Sequence, residues 1–334
     1  MSKRALWLWG PWAAFALIAL GWTVYWHAVA GEAERRIDAW TAAQREAGAQ
    51  ATVLRVVRHG FPTLMRLELQ NISYASARGG WRAETARADL HINLLNPEHI
   101  KFEAEAPIAL SRANGATTTV TADALIASLR TEGGVLAVAG LEADNLQLDD
   151  PAQEGVLLAR KVVLNVRPDP RAQGAYQAAF DTQALTLPRP VRSFEAFGVD
   201  VAELRAAIVV EHSAALLNAA PQDPLGPWRE ANGRLRLEML TLHWGPLQAD
   251  GHGQGGLDSE RRIEGNLEIP IERPAPVLSA IANGPEMDRD AKRALALLAA
   301  GYAISGDDIT LDVEARDGWL RLEGLPVRRL PPVY

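Results

Sequence analysis

The chain contains no cysteine among its 334 residues. Disulfide bonds, thiolate metal sites and cysteine nucleophiles are therefore excluded. An exported fold would have to be held by burial alone, which a chain of this length can provide. Basic residues are also fewer than acidic ones: the chain has 34 Lys and Arg and 41 Asp and Glu, for a net charge of −7. Because nucleic-acid-binding proteins concentrate basic residues, we expect no nucleic acid partner.

Motifs with an established catalytic mechanism are missing as well. No serine stands in a Gly-x-Ser-x-Gly elbow, and no glycine-rich loop ends in Gly-Lys-Ser/Thr. The segment Gly251-His252-Gly253-Gln254-Gly255-Gly256 has the spacing of a dinucleotide fingerprint. An alternating segment follows it, however, where that fingerprint needs a helix. We therefore interpret it as a glycine-rich strand with a close backbone approach.

Histidines and paired acids do not indicate a site either. His91 and His99 are eight residues apart, and His243 and His252 are nine residues apart. Neither spacing matches a familiar metal-binding pattern, and we expect these histidines at the surface or at strand edges. Asp149-Asp150 and Asp307-Asp308 lie beside turn formers, and adjacent residues of a strand point to opposite faces, so we expect turn and cap roles. The sequence thus predicts no catalytic, cofactor-binding or metal-binding residues, no cofactor and no enzyme.

Apolar and aromatic residues are abundant at the start of the chain. Ala5 to Gly31 contains no Asp, Glu, Lys or Arg, and its Trp and Tyr residues cluster toward both ends. At ~1.5 Å per residue, a helix of this length crosses a hydrocarbon core of ~30 Å. Indole and phenol rings favour the depth of the headgroups. We therefore predict an N-terminal membrane anchor at 1–31.

The charges around this span predict its orientation. Lys3 and Arg4 precede it, and under the positive-inside rule the basic amino terminus stays in the cytoplasm while the downstream chain is exported. An alternative is a signal peptide cleaved at Ala28-Val29-Ala30, which has the small residues of a cleavage site. The length of the span, and the bulky residues just before that site, favour retention.

Helical periodicity continues beyond the anchor. Ile37, Trp40 and Ala47 lie on one helical face and Gly48 can cap the end, so we predict a juxtamembrane helix at 32–50. The period then changes to two, which predicts strands. These are Val53–Arg58, Leu67–Leu69, Ala83–Leu95, His99–Leu110, Thr117–Ala124, Val135–Leu148, Val156–Val166, Tyr176–Leu187, Leu204–Glu211, Leu235–Leu242, Arg262–Ile271, Ile309–Ala315 and Trp319–Leu322.

The predicted fold class is mainly β. Helical patterns interrupt the strands only at Pro224–Glu230, Pro276–Asn283 and Met287–Ala300. Strands that follow one another without crossover helices predict an antiparallel sheet, and alternation with one dry face favours a curved sheet or an open half-barrel. We expect one N-terminal transmembrane helix followed by a β-rich domain at 51–334, with a large, curved, antiparallel sheet and a few short helices.

Two short segments have a predicted structural role. In Arg58-His59-Gly60-Phe61-Pro62, glycine frees the backbone and proline restricts the residue before it, so we interpret Phe61 as an apolar peg at the corner between the first two strands. The end of the chain, Leu330-Pro331-Pro332-Val333-Tyr334, cannot carry a helix or an interior strand. We expect it to lie extended against the body of the protein.

Several of these segments, in this order and spacing, resemble the bacterial family called domain of unknown function 2125, found chiefly in alphaproteobacteria. They are the amino-terminal span, Trp40 with Gly48, Gly60-Phe61-Pro62, Pro97 to His99, His243-Trp244-Gly245-Pro246-Leu247 and Leu330-Pro331-Pro332-Val333-Tyr334. One departure is that members often carry Phe-Arg after the Gly-Phe-Pro, where this chain has Thr63-Leu64-Met65-Arg66. The resemblance implies a single-pass envelope protein of the bacterial inner membrane, with a cytoplasmic amino terminus and a periplasmic domain, and it supplies no activity.

More remotely, the anchored series of strands resembles the AsmA-like envelope proteins, whose curved sheets form apolar grooves thought to carry lipid. We therefore expect a non-enzymatic, membrane-anchored scaffold that binds lipid or another apolar ligand, with the bilayer and other envelope proteins as partners. Two alternatives remain open. One is an envelope hydrolase with carboxylates drawn from distant strands, and the other is a soluble secreted module released near Ala30.

Overall fold

The computed structural model describes residues 3–77, 80–105, 107–152, 154–218, 223–283, 289–306 and 308–334. The predicted fold class is confirmed: the chain is mainly β, with one long apolar N-terminal helix, a large antiparallel sheet and a few short helices. The described chain forms two compact units, residues 1–135 and 136–334.

Helix α1 runs without a break from Lys3 to Glu46. The expected membrane-spanning segment and the juxtamembrane helix are therefore one continuous element. Between Trp9 and Glu46 it contains an 18-residue window with a mean hydropathy of 1.5, of which only 11% is buried. A core helix of a soluble protein would bury this surface. The exposed side chains include Trp9, Trp12, Phe15, Leu17, Ile18, Leu20 and Val24.

The first unit adds seven strands to α1. They are β1 (Gln50–His59), β2 (Met65–Ala75), β3 (Trp81–Asn93), β4 (Asn96–Ala104), β5 (Ile108–Arg112), β6 (Thr117–Thr121) and β7 (Ala124–Glu132). Strand β1 pairs with β2 and β2 with β3, while the two halves of β3 pair separately with β4 and β5. Strand β4 also pairs with β7, and β5 with β6. All these pairings are antiparallel.

Register places the apolar residues of the central strands on one face. Leu67 of β2 lies opposite Leu90 of β3, which lies opposite Phe102 of β4. Because directly opposed residues point to the same side, this face is continuous across three strands. Trp26 and Ala30 of α1 pack onto it and are almost fully buried. The core of the first unit thus lies between α1 and the sheet.

The second unit is a meander of antiparallel strands. They are β8 (Val135–Asp149), β9 (Val156–Pro168), β10 (Tyr176–Thr186), β11 (Asp200–Val210), β12 (Leu235–Trp244), β13 (Leu247–Leu257), β14 (Ile263–Ile271), β15 (Ile309–Arg316), β16 (Trp319–Leu322) and β17 (Leu325–Arg329). Each strand from β9 to β16 pairs with the strand before it and the strand after it.

Short helices cover one part of this meander. They are two 3₁₀ turns, Arg192–Phe197 and Ser213–Asn218, and helices α2 (Gly226–Glu230), α3 (Pro274–Ala282) and α4 (Arg289–Ser305). Val277 and Leu278 of α3 and Leu295 of α4 form a buried cluster with Ile271 and Leu311 of the sheet. The three predicted helical segments are thus present, although 287–288, the start of the third, lie outside the described residues.

The glycine-rich segment is strand β13, as interpreted from the sequence. A Cβ atom on Gly253 would lie 2.3 Å from the carbonyl oxygen of Asn266 on β14, and one on Gly265 would lie 2.2 Å from that of Gln254. No side chain fits at such distances. These glycines therefore serve the close approach of two strands, and no helix follows β13 to receive a phosphate.

Three details of the strand prediction were wrong. The expected strand His99–Leu110 is two strands, β4 and β5. Strand β7 was read only as the end of Thr117–Ala124, and β17 was not predicted because Pro326 lies within it. Proline has no N–H to donate to a neighbouring strand, and it is tolerated in a strand at the edge of a sheet. The last residues lie extended as expected, and the amide of Val333 donates to the carbonyl of Arg261 at 2.9 Å.

Candidate functional site

Three aromatic side chains fasten α1 to the turns of the first unit. The indole N–H groups of Trp22 and Trp26 donate to the carbonyl oxygens of Pro62 and Leu64, at 2.7 and 2.8 Å. The hydroxyl of Tyr25 donates to the carbonyl oxygen of Leu94 at 2.6 Å. Trp26 is buried, Trp22 is half-buried and Tyr25 is 39% exposed, and each ring places its polar tip on a backbone acceptor. They hold the end of the predicted anchor against the sheet.

The corner at Gly60-Phe61-Pro62 completes this attachment. Gly60 has a φ of +91°, and a Cβ there would lie 2.8 Å from the carbonyl oxygen of Leu64, so the turn requires glycine. Phe61 is the predicted peg between β1 and β2, and it meets Trp26 edge to face with ring centroids 5.5 Å apart. Its ring is 52% exposed, so it packs on the surface of α1 and not in the core.

Next to this attachment, α1 and the sheet border a mostly apolar groove of about 950 Å³. We call this cavity the groove. The wall on α1 and the floor on β3, β4 and β7 are apolar, and include Val29, Ile37, Leu90, Ile92, Ile100 and Leu129. A volume of this size lies at the upper end of the ~300–1,000 Å³ range of small-molecule sites, which are mostly apolar with a few polar groups.

Those few polar groups stand at the rim of the groove. Glu32 accepts from Arg35 at 2.7 Å and from Arg36 at 2.9 Å, one arginine on each carboxylate oxygen. Both arginines are largely exposed. Glu98 of β4 also lines the groove. The rim thus carries both signs of charge above an apolar floor.

A second ion pair holds α1 near the groove. The guanidinium of Arg58 on β1 donates twice to the carboxylate of Glu34, at 2.7 and 2.5 Å. Such a bidentate pair fixes orientation better than a single contact. It connects the helix wall to the edge of the sheet.

Two carboxyl groups, of Asp89 on β3 and of Glu105 just after β4, come together on the opposite face of this sheet. Asp89 of β3 is nearly buried and accepts from Arg66 at 3.1 Å, while Glu105 is bound by Arg87. Burial, followed by the hydrogen bond with Glu105, raises the pKa of Asp89. Arginines compensate both carboxyls, as in a structural ion network. This arrangement gives the hydrolase hypothesis no specific support.

The four histidines of the sequence analysis lie on strands, where His91 and His99 are half-buried, and Asp150 is buried at a turn. His243 and His252 each lie beside a glutamate of the neighbouring strand, Glu203 at 3.2 Å and Glu268 at 3.5 Å. Among the described residues, no group of three or more potential ligands could hold a metal ion. Asp150 accepts from the amide of Ala152 at 3.0 Å, which is the expected turn role. Asp307 lies outside the described residues.

The groove itself was not found from the sequence. Its floor comes from three strands that register alone brings together, and one of them, β7, was not recognised. The available signal was the apolar face of the juxtamembrane helix at Ile37 and Trp40, which predicted a packed surface and no cavity. Comparison of the sequence with models of known protein families identifies the family of this chain.

The model of a family described as uncharacterized protein conserved in bacteria (DUF2125) matches residues 26–331. The chain belongs to this family. The match starts at Trp26, so every residue of the groove wall except Tyr25 lies inside the DUF2125 region. No curated protein and no solved structure matches the chain.

The DUF2125 region includes the point where this chain departs from the motif described above. Leu64 supplies the carbonyl that Trp26 binds, and Met65 is buried at the start of β2, opposite Ile92. The residues that replace the usual Phe-Arg pair thus belong to the attachment of α1. The pairing of Met65 with Ile92 fixes the register of β2 against β3.

Proposed function

We propose that this protein is a non-enzymatic, single-pass protein of the bacterial inner membrane whose groove binds an acyl-chain lipid. Its amino terminus lies in the cytoplasm and its β-rich part in the periplasm. The observation that carries the proposal is the position of the groove, which begins at Tyr25 and Ala28, where the predicted anchor ends. An apolar cavity at this height is next to the acyl chains and headgroups of one leaflet.

The exposed surface of α1 supports the membrane part of the proposal. Its large apolar side chains from Trp9 to Leu20 are 61–71% exposed, at positions such as Ile18 and Leu20. Contiguous apolar surface of this kind marks contact with a membrane or another protein. Ten tryptophans, several of them near the ends of the span, fit the interfacial belt of a transmembrane helix.

The groove supports the lipid part. Its floor is mostly aliphatic, with Leu90, Ile92, Ile100 and Leu129 beside the hydroxyl of Thr131, and this lining suits a hydrocarbon chain. Arg35, Arg36 and Glu98 at the rim would meet a polar headgroup. A lipid needs both of these surfaces at once.

The test is the lipid content of the intact protein. We would extract the full chain from membranes with mild detergent and identify lipids that co-purify by mass spectrometry. Stoichiometric lipid is expected. Ala33→Trp should fill the groove and lower the lipid content, whereas Ala42→Trp, on an exposed position of the same helix, should not. A membrane-bound protein that is empty of lipid would contradict the proposal.

The same preparation tests anchoring and orientation. The retained chain has a mass of 36.2 kDa, and a chain that begins at Gly31 would indicate cleavage after Ala30. Because the protein has no cysteine, a single cysteine introduced at Ser2 or at Thr118 can be labelled selectively with an impermeant maleimide. In intact spheroplasts, only the second position should react. Labelling of Ser2→Cys instead would overturn the proposed orientation.

A further inference from the structure

The rim of the groove carries two cations on one wall and an anion on the other. Arg35 and Arg36 belong to α1, and Glu98 belongs to β4. With Glu32, the rim holds two guanidinium groups and two carboxylates, so that its net charge is zero while its charges are separated. We infer that the groove selects a zwitterionic phospholipid with an ethanolamine headgroup, an inference that rests on the proposed function.

The arginine wall fits the phosphate. One carboxylate serves both guanidinium groups, with Arg35 using its Nε and Nη2 atoms and Arg36 its Nε atom. Each guanidinium has five N–H donors, so most remain open to a ligand. The side chains of Arg35 and Arg36 are 71% and 76% exposed. Ion pairs this exposed are weak, and a phosphate can take up their donors without breaking a buried contact.

The strand wall fits the ammonium group. Glu98 is exposed and makes no hydrogen bond or ion pair with any residue in the described part of the chain. A primary ammonium offers it three N–H donors. A trimethylated ammonium has none, which favours ethanolamine over choline.

An anionic lipid would match this rim less well. Its phosphate would satisfy the arginines, but its second polar group would bring no positive charge to Glu98. Specificity follows from such a difference between two ligands and not from the attraction to one of them. The acyl chains would lie on the same apolar floor in either case.

The experiment measures headgroup preference with the full chain. Delipidated protein in detergent is mixed with vesicles that contain equal amounts of phosphatidylethanolamine, phosphatidylcholine and phosphatidylglycerol with identical acyl chains, and the bound lipids are quantified by mass spectrometry. We expect phosphatidylethanolamine to exceed the other two by about fivefold, the size expected for one partly screened charged contact.

Variants assign the two walls. Glu98→Lys should shift the preference toward phosphatidylglycerol, and Arg35→Gln with Arg36→Gln should lower the uptake of all three phospholipids. Arg55→Gln, the same change at an exposed position on the other face of the sheet, should leave the preference unchanged. Equal melting temperatures would show that the variants fold.

The outcomes separate the two proposals. Uptake of lipid without headgroup preference, or a preference that Glu98→Lys does not alter, would overturn the inference and leave the proposed function standing. No uptake of any of the three lipids would contradict the proposed function itself.

Discussion

Trp26→Phe should loosen the attachment between α1 and the turn at 60–64. The substitution keeps an aromatic ring beside Phe61 but removes the N–H that donates to the carbonyl oxygen of Leu64 at 2.8 Å. Trp26 is 3% exposed, so water cannot easily replace that donor. The hydrogen bond is partly buried, and losing it together with part of the buried indole costs about 1–3 kcal/mol.

Trp22→Phe is the matched control. Its indole donates to the carbonyl oxygen of Pro62 at 2.7 Å, but this hydrogen bond is exposed and water can take the place of the donor. We expect a loss of only about 0.5 kcal/mol. The two variants make the same chemical change four residues apart on one helix, and they differ in burial.

Amide hydrogen exchange of the turn is the appropriate assay. The amide of Leu64 donates to the carbonyl oxygen of Gly60 at 2.8 Å, so its exchange reports local opening. A cost of 1–3 kcal/mol corresponds to exchange that is about five to a hundred times faster, since ~1.4 kcal/mol is tenfold. Trp22→Phe should change it by less than about threefold. Equal acceleration in both variants would refute the claim that the buried hydrogen bond holds the helix.

Three further predictions concern the core, pH and the helix wall. Leu295→Ala, at a fully buried position of α4, should lower the free energy of unfolding by about 2–5 kcal/mol, whereas Leu297→Ala, at a position 74% exposed, should change it by less than about 0.5 kcal/mol in denaturant titrations. Burial raises the pKa of Asp89 in the folded state, so this carboxyl stabilises the fold in acid, and the stabilisation is lost as pH rises through that pKa. Asp89→Asn should therefore flatten this part of a curve of stability against pH. An unchanged curve would contradict the assignment. Inserting one alanine after Gly31 rotates the rest of α1 by ~100° and should abolish lipid uptake, while an insertion after Gly10, in the exposed part of the span, should preserve it.

Hydrophobic periodicity predicted the strands that have one buried and one exposed face along their whole length. The alternation of β9 or β10 comes from one buried and one exposed face, and each was found near its true bounds. The prediction of a single strand at His99–Leu110 was wrong because the alternation of polar and apolar residues continues across the break between β4 and β5. Strand β7 was not predicted because Ala124-Leu125-Ile126-Ala127 is an apolar run that does not alternate, although the turn former Asp123 precedes it.

The groove could not be predicted because it depends on pairs that are distant in sequence. Ile100 and Leu129 lie directly opposite each other on β4 and β7, and neither strand is adjacent to the other in the chain. Composition predicted an anchor and an apolar face on the following helix. It did not show that a cavity remains beside the helix between Ala28 and Trp40, because that cavity is bounded by strands that are distant in sequence.

One helix therefore has three environments along its length. Its large apolar side chains from Trp9 to Leu20 are exposed, Trp26 and Ala30 are buried against the sheet, and side chains from Val29 to Trp40 line the groove. An amphipathic helix of a soluble domain would need only one apolar stripe. Because the same rigid element carries the predicted anchor and the groove wall, the height of the groove above the bilayer is set by the helix itself. The proposed lipid site is thus inseparable from the anchor, and a soluble fragment that begins after Ala30 would lose Tyr25, Trp26 and one end of the groove.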